Sequence, residues 1–295
     1  MHIEGLRLYP IKSCQGVDVD RAYAAPRGLQ VGQIIDRGWM IVDGNGDFIS
    51  QRQRPELARV KVELLRVNAD QANRIKISVP GFGEQILDPD FGGDGRQVIF
   101  LHKNPVWGTV APYAAVQFFR DYLKSDVFLV YQKEGDARPC DENFAARPGK
   151  DVVSFADGYP YLVTTTATLS ALNARLDAPV PMENFRANIV IASDESEYNW
   201  RGLCIGEAAI QLVKPCTRCV MTTRDQQSGE QAYPDTLTAL TKNFFLTQQF
   251  GDVKVKGPVF GENAIAMRGG KISRRDTVRV TERKQPYAFR QAHPT

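Results

Sequence analysis

Two cysteines, Cys216 and Cys219, stand close together in the segment Lys-Pro-Cys-Thr-Arg-Cys-Val-Met-Thr-Thr-Arg-Asp, residues 214–225. Thiolates are soft metal ligands and strong nucleophiles, and the neighbouring arginines and hydroxyls could hold an anion. A C-x-x-C pair has three ordinary interpretations: a structural zinc site, a redox dithiol, or one reactive thiolate beside a supporting thiol. The rest of the chain tests each of them.

A structural zinc site needs four tetrahedral ligands. The other cysteines and all the histidines are scattered singly along the chain: Cys14, Cys140, Cys204, His2, His102 and His293. No second pair stands at ligand spacing, so the sequence argues against zinc.

A redox dithiol normally opens a helix, whose N-terminus lowers the pKa of the first thiol. Here β-branched Val220, Thr222 and Thr223 follow the pair and favour extended chain. The sequence therefore predicts one reactive thiolate on a strand or loop, while inert burial of both thiols stays open as the alternative.

The composition is that of an ordinary globular protein of 295 residues, with 43% hydrophobic residues and a net charge of +3. That charge is too small to indicate nucleic-acid binding. No apolar run approaches the roughly 18 residues of a membrane-spanning helix, and residues 1–15 predict a first strand and loop, with no signal peptide. Five dispersed cysteines do not indicate a disulfide framework, so we expect a cytoplasmic protein with reduced thiols.

The hydrophobic pattern predicts a mainly β fold with some α-helix. Residues 32–42, a turn at 43–47 and residues 48–50 are typical of a hairpin, and residues 59–67, 74–79, 188–192, 207–213 and 276–280 are predicted strands. Helical spacing predicts helices over 114–124 and 165–175, the second capped by Thr165 or Thr166. Polar residues 133–139 predict a boundary between two mostly β halves, residues 1–130 and 131–285, with a polar tail over 286–295.

Four further clusters carry polar side chains next to predicted strands: residues 9–14, residues 36–37 with 51–53, residues 155–160 and residues 184–188. We interpret the arginines of the second cluster as buried residues at strand positions. Most such arginines form ordinary ion pairs, although a guanidinium fork also suits a phosphate or an electron-rich heterocycle. Spacing alone does not join the clusters into one site.

Five motifs in order resemble the MOSC family with an N-terminal β-barrel domain, which includes bacterial YcbX-type proteins and the mitochondrial amidoxime reducing component. They are Tyr-Pro-Ile-Lys-Ser-Cys, Asp-Arg-Gly-Trp, Phe-Ala-Asp-Gly-Tyr-Pro-Tyr, Asn-Phe-Arg-Ala-Asn and Lys-Pro-Cys-Thr-Arg-Cys. The resemblance runs from Leu8 to about Val280. It implies an N-terminal β-barrel-like domain packed on a MOSC-type β-barrel domain.

The resemblance also implies a molybdenum cofactor in which Cys219 completes the coordination of a pterin dithiolene. Cys219 would then be both the metal ligand and a catalytic residue, and a nearby Lys or Arg would hold its thiol deprotonated. Cys216 would be structural or would support the ligand without contacting the metal. The positions that match the family's pterin and phosphate contacts, or lie beside the ligand, are Lys12, Ser13, Arg37, Arg186, Thr217 and Arg218. Asp157 is the candidate for a proton relay or cofactor contact.

The activity implied by the resemblance is reduction of small N-hydroxylated compounds, R–NH–OH with two electrons and two protons giving R–NH2 and water. Some YcbX-type relatives carry a ferredoxin domain with a plant-type cysteine pattern, but no cysteine follows Cys219 here. We therefore expect electrons from a separate protein of the ferredoxin or flavin reductase type.

Two other functions remain open. MOSC domains also resemble the C-terminal part of cofactor sulfurases, which suggests a sulfur-carrier or cofactor-handling protein with a persulfide on Cys219. The chain has no recognisable pyridoxal-phosphate domain, so pyridoxal phosphate is not expected. The third possibility is a β-barrel binding module without a cofactor.

Overall fold

The computed structural model describes residues 1–68, 70–92 and 95–289. The strands in this part are β1 (His2–Leu8), β2 (Val17–Asp18), β3 (Arg21–Ala25), β4 (Gly28–Val31), β5 (Ile34–Ile35), β6 (Trp39–Asp43), β7 (Lys61–Asn68), β8 (Gln71–Val79), β9 (Gly83–Leu87), β10 (Arg96–Leu101), β11 (Asn104–Val110), β12 (Val127–Tyr131), β13 (Arg138–Pro139), β14 (Val152–Val153), β15 (Tyr161–Thr165), β16 (Ile189–Ala192), β17 (Trp200–Ile205), β18 (Ala208–Thr217), β19 (Phe245–Phe250), β20 (Val253–Arg268), β21 (Gly270–Ser273) and β22 (Val278–Arg283). The helices are α1 (Tyr113–Leu123), α2 (Thr166–Asn173) and α3 (Thr236–Asn243). None of the described helices is long and apolar enough to cross a bilayer.

The largest sheet has the order β2-β1-β16-β15-β20-β18-β17-β22, with β19 added along β20. Its β1 comes from the start of the chain but pairs antiparallel with β16, and β21 pairs with β3 in a second sheet. Both predicted halves therefore contribute strands to the same sheets. The boundary near residues 133–139 stays a prediction.

The mainly β class is confirmed, but the barrel is not closed in the described residues. The largest sheet ends at β2 on one side and β22 on the other. An isolated bridge between His2 and Thr277 and a few backbone hydrogen bonds, between residues 1–3 and 275–278, link β1 to the start of β22. These contacts are not a continuous ladder, so the sheet remains open.

Besides the largest sheet, the described residues form four smaller ones, with the orders β10-β11-β12-β6, β21-β3-β4-β5, β7-β8-β9 and β13-β14. The main hydrophobic core joins β1, β6, α1, β16 and β18 through fully buried side chains such as Leu6, Trp39, Phe119, Ile189 and Ile210. Because this core draws on the whole length of the chain, it fixes the loops from both halves relative to each other.

The predicted hairpin is partly wrong. The stretch 32–42 is split into β5 and β6 by a turn at Arg37, whose φ of 49° lies in the left-handed region. Residues 48–50 form no strand, and Phe48 makes only an isolated bridge to Val42. The turn itself is held by Asp43, whose carboxylate accepts from the backbone N–H groups of Asn45 and Asp47 at 2.9 and 3.0 Å. Alternation could not reveal the split because both sides of the turn are apolar.

The other predicted elements are found close to their expected positions, as β7, β8, β16, β18 and β22 and as α1 and α2. Thr165 caps α2 and accepts from the backbone N–H of Thr168 at 3.1 Å. The sequence did not predict α3. Within the predicted polar tail, Tyr287 is buried beside Tyr198, and residues 290–295 lie outside the described residues.

Gly32 makes the turn between β4 and β5 that leads to Arg37. Its φ is +59°, and an added Cβ would fall on the backbone of Ala72. We expect Gly32→Ala to lower the free energy of unfolding by more than about 2 kcal/mol, since a left-handed Ala alone costs roughly 1–2 kcal/mol. Gly81→Ala is the matched control, because Gly81 has a φ of +76° but open space around it. Urea unfolding that shows equal losses in the two variants would contradict the steric argument.

Candidate functional site

One cleft brings together the candidate site residues from five parts of the chain. It is lined by every residue singled out in the sequence: Lys12, Ser13, Arg37, Asp157, Arg186, Thr217, Arg218 and Cys219. Lys12 and Ser13 follow β1, Arg37 precedes β6, and Asp157 precedes β15. Arg186 precedes β16, Thr217 ends β18, and Arg218 and Cys219 follow it. The fold thus joins clusters that spacing could not join, while the role of each residue remains a prediction.

Three of these residues have left-handed backbone conformations: Ser13 with φ 72°, Arg37 with φ 49° and Arg186 with φ 54°. Non-glycine residues rarely adopt this region, and it persists where the surrounding structure over-determines it. Arg186 ends the 3-10 helix Met182–Phe185 in this conformation just before β16. Each turn places a cationic or hydroxyl side chain on the cleft wall.

A buried carboxylate, Asp36, holds the turn at Arg37. Its oxygens accept from the Tyr9 backbone N–H at 2.8 Å and from Asn188 Nδ2 at 2.9 Å, and Arg37 Nη1 donates to it as well. Burial raises the pKa of Asp36, and the Arg37 guanidinium opposes that rise. The sequence placed Asp36 in a polar cluster but indicated no role for it, because a lone acid beside an arginine is typical of an ordinary ion pair.

Two guanidinium groups stack on the Tyr9 ring, Arg37 at 4.4 Å and Arg186 at 4.3 Å from its centroid. Arg186 Nη1 donates to the Cys14 carbonyl at 2.9 Å and to Gln226 Oε1 at 3.0 Å, whereas its Nη2 is buried without a partner. Burial lowers the pKa of Arg186 to about 10, so the group remains charged at neutral pH.

Lys12 and Asp157 form a second charged group at the cleft. Lys12 Nζ donates to Asp157 Oδ1 and, at 2.9 Å, to the Phe155 carbonyl, while His102 Nε2 lies 3.1 Å from the same Asp157 oxygen. Burial lowers the pKa of Lys12, and Asp157 opposes this. Loss of water at the cleft opposes ionisation of Asp157, but Lys12 and His102 outweigh it and hold the pKa of Asp157 well below its usual range. The Asp157 side chain itself is 74% exposed.

The thiol segment ends β18 and enters a short helix. Cys216 lies in β18, and exposed Cys219 immediately precedes the 3-10 helix Val220–Thr223. The prediction of extended chain after Cys219 is therefore wrong, although one 3-10 turn is compatible with β-branched residues. Arg218 Nη1 lies 3.0 Å from the Cys216 sulfur. The cation adjacent to the pair thus contacts Cys216 rather than Cys219.

Arg218 also fixes the position of the segment. Its Nη2 donates to the Phe185 carbonyl at 2.9 Å, and its Nε is buried without a partner. Free donors on Arg218 and Arg186, both on the same cleft, are the groups that an anion would satisfy.

The predicted cluster of residues 51–53 needs correction. Arg52 is exposed in a turn after Ser50 and is not a buried strand residue, although it does line the cleft; buried Gln51 lies beside it. The sequence also gave no indication of His102, since a single histidine in a hairpin carries no sequence signal.

Among the described residues, no group of three or more His, Cys, Asp or Glu could hold a metal. A metal at Cys219 would need its other ligands from a cofactor.

Two protein-family models match most of the chain. Residues 1–126 match the MOSC N-terminal beta barrel domain, and residues 150–279 match the MOSC domain. This chain is a MOSC-domain protein. The expectation of two MOSC-type regions is thereby confirmed. The cleft of the MOSC protein is formed by residues of both matched regions.

Curated relatives align along most of the MOSC protein. The mitochondrial amidoxime reducing component 2 of Bos taurus is 29% identical over 88% of this chain and 77% of its own length. The human mitochondrial amidoxime-reducing component 1 is 29% identical over 92% of this chain and 81% of its own length. Among solved structures, the YUAD protein from Bacillus subtilis covers 94% of this chain and 93% of its own at 9% identity, with a TM-score of 0.37 that is too low to support an argument.

The thiols of the MOSC protein should differ in reactivity. Cys219 is exposed, whereas Cys14 and Cys140 are buried and burial raises the pKa of each to about 12. We expect iodoacetamide to alkylate Cys219 first and Cys14 and Cys140 last, because the thiolate is the reacting form. Peptide mass mapping over time measures the order, with urea-unfolded protein as the control in which all five react. Early labelling of Cys14 or Cys140 in the folded protein would contradict this order.

Proposed function

We propose that the MOSC protein binds a molybdenum cofactor through Cys219 and reduces small N-hydroxylated compounds with electrons from a separate electron-transfer protein. The observation that carries this proposal is the convergence of an exposed thiol and several cations on one cleft. The two matching MOSC models and the names of the amidoxime-reducing relatives support it.

The described residues fit an anionic cofactor. Arg37 and Arg186 form a fixed positive wall around Tyr9, and the unpartnered Nη2 of Arg186 and Nε of Arg218 are available as donors. These residues would hold phosphate and pterin groups, and the Cys219 thiolate would complete the metal coordination. When bound, the cofactor would supply the two-electron chemistry that breaks the N–O bond.

The protein would supply position and protons. The overall reaction, R–NH–OH with two electrons and two protons giving R–NH2 and water, consumes two protons in each turnover. Lys12 and Asp157 lie on the cleft wall and form a titratable pair that is well placed to supply these protons. Phe48 and Tyr159 line the same cleft and would exclude bulk water from the bound substrate.

The exposed position of Cys219 also favours a second function, that of a sulfur carrier with a persulfide on this thiol. Stoichiometric molybdenum with pterin in protein from a molybdenum-replete host favours the reductase, and their absence favours the carrier. We further propose a cytoplasmic location, because the five cysteines are free and a reducing compartment keeps them so.

Cys219 is expected to be essential for turnover. A molybdenum-loaded sample with reduced viologen and an amidoxime or hydroxylamine should oxidise the viologen, whereas NADH alone should give no reaction. Cys219→Ala should lose both molybdenum and activity, and Cys216→Ala, the matched control, should keep most of the metal. Viologen oxidation and elemental analysis measure the two effects. Equal metal loss in both variants would refute the ligand assignment, and an inactive loaded sample would refute the reductase.

The cleft arginines are expected to hold the cofactor. Arg186→Gln and Arg218→Gln should each reduce cofactor content about tenfold or more, because a hydrogen bond to a charged group contributes about 1.5–3 kcal/mol. Arg201→Gln is the control, since Arg201 is half exposed on β17 and pairs with Glu282. Pterin fluorescence after release measures the content, and thermal unfolding shows that each variant is folded. If folded variants retain the cofactor like the wild type, the anchor lies elsewhere.

A further inference from the structure

His102 occupies the tip of the β10–β11 hairpin, at the edge of the cleft. The hairpin closes between Leu101 and Asn104 through His102 with φ 52° and Lys103 with φ 68°. Two-residue hairpin turns of this kind normally use Asn or Gly, because both central residues have positive φ. A histidine and a lysine here cost about 1–2 kcal/mol each in backbone strain. Strain at such positions is characteristic of functional sites.

The surroundings of His102 fix its ring against the cleft rim. The imidazole packs edge-on to the Phe48 ring with centroids 4.6 Å apart, and its Nε2 lies 3.1 Å from Asp157 Oδ1. The His102 side chain remains 38% exposed. His102 therefore contacts solvent and Asp157 at once, and the Asp157 side chain is itself 74% exposed.

The same Asp157 oxygen also receives the Lys12 ammonium, whose side chain is only 10% exposed. An ammonium has three N–H donors. Asp157 and the Phe155 carbonyl take two of them, which leaves one for the cleft. His102, Asp157 and Lys12 thus form a continuous hydrogen-bonded chain from solvent to the cleft wall.

Besides Asp157, the charged groups that act on Lys12 are Arg37, which is paired with Asp36, and Arg138. Arg138 Nη2 donates to the Asp157 carbonyl at 2.8 Å, Lys103 follows His102 in the hairpin, and Arg37 lies on the Lys12 side. Asp157 is the carboxylate that both Lys12 and His102 contact. The cationic surroundings favour its ionised form, which can accept from both donors.

We propose that His102 feeds protons from solvent through Asp157 to Lys12, and that Lys12 delivers them to the substrate in the cleft. This inference rests on the proposed reductase and extends it to a residue outside the predicted site. Lys12 would be the residue that touches the substrate, and His102 acts through Asp157.

The proton balance is simple. Lys12 gives one N–H proton to the departing substrate oxygen or to the amine nitrogen and becomes a neutral amine. The His102 imidazolium then passes its Nε2 proton to Asp157 Oδ1, which passes a proton to Lys12, and neutral His102 takes a new proton from water. Two passages supply the two protons that one turnover consumes.

The pKa shifts of Lys12 and Asp157 are consistent with proton transfer from His102 toward the substrate. Burial lowers the pKa of Lys12, which makes its ammonium a better acid near neutral pH. Lys12 and His102 hold the pKa of Asp157 well below its usual range, so Asp157 carries the proton only in passing.

The first test uses His102→Gln, which can still donate a hydrogen bond to Asp157 but cannot titrate. At saturating viologen and substrate in dilute buffer, we expect the rate of the variant to fall at least about tenfold below wild type toward pH 8, and less at pH 6 where protons are plentiful. His2→Gln on β1 is the control and should follow the wild type at both pH values. An unchanged pH profile with normal cofactor content would overturn the relay.

The second test uses His102→Ala, which leaves space beside Phe48. Added imidazole should restore viologen oxidation in proportion to its concentration, and it should not accelerate the wild type. A purely structural role for His102 predicts no rescue, and absence of rescue would overturn the relay.

The third test does not depend on activity. In cofactor-free protein, long-range proton–nitrogen NMR should show His102 Nε2 protonated and hydrogen-bonded, and Asp157→Asn should shift that signal; His102→Gln assigns it among three histidines. If Asp157→Asn leaves the His102 Nε2 signal unchanged, the contact between His102 and Asp157 is overturned. A loaded but inactive wild type would instead overturn the reductase and the task of the relay together, so the two failures are distinguishable.

Discussion

The buried carboxylate of Asp36, only 1% exposed, is the constraint on which the cleft depends. Its partners come from three places in the chain: the backbone of Tyr9 after β1, the amide of Asn188 before β16, and the Arg37 guanidinium beside it. An unpaired buried carboxylate costs several kcal/mol, so the loops cannot separate without that penalty. Asn188 also accepts from the Leu162 backbone N–H at 3.1 Å, which extends the constraint to β15.

Because Asp36 holds these loops together, the cleft can keep two guanidinium groups close to each other. Arg37 and Arg186 stack on one tyrosine ring, and the charge of Arg37 adds to the burial that lowers the pKa of Arg186. Their arrangement is unfavourable for an empty protein and favourable for one that holds an anion, because preorganised donors need no rearrangement when the anion binds. The buried donors of Arg186 and Arg218 that lack a partner destabilise the folded chain, and the same donors are ready to bind an anion.

Among the described residues, four of the seven non-glycine residues with positive φ line the cleft or contact its rim. Ser13, Arg37, Arg186 and His102 all have positive φ, and the first three line the cleft while the fourth contacts Asp157 at its rim. Glycine would relieve the strain at each position but would remove the side chain. The surrounding core, built from both halves of the chain, provides the stability that these turns require.

The sequence by itself determined the mainly β class, the helices α1 and α2, and the residues on which the site proposal is based. Hydrophobic periodicity and capping are local, and the MOSC motifs are ordered along the chain. Only the tertiary structure decided that Arg37 lies in a turn, that Arg218 contacts Cys216, and that the sheets stay open. It alone brought Asp36 and His102 into the site. Asp36 contacts Asn188 and His102 contacts Asp157 across more than fifty positions, and Arg37 lies in a turn between two apolar runs. Local sequence patterns encode neither kind of feature.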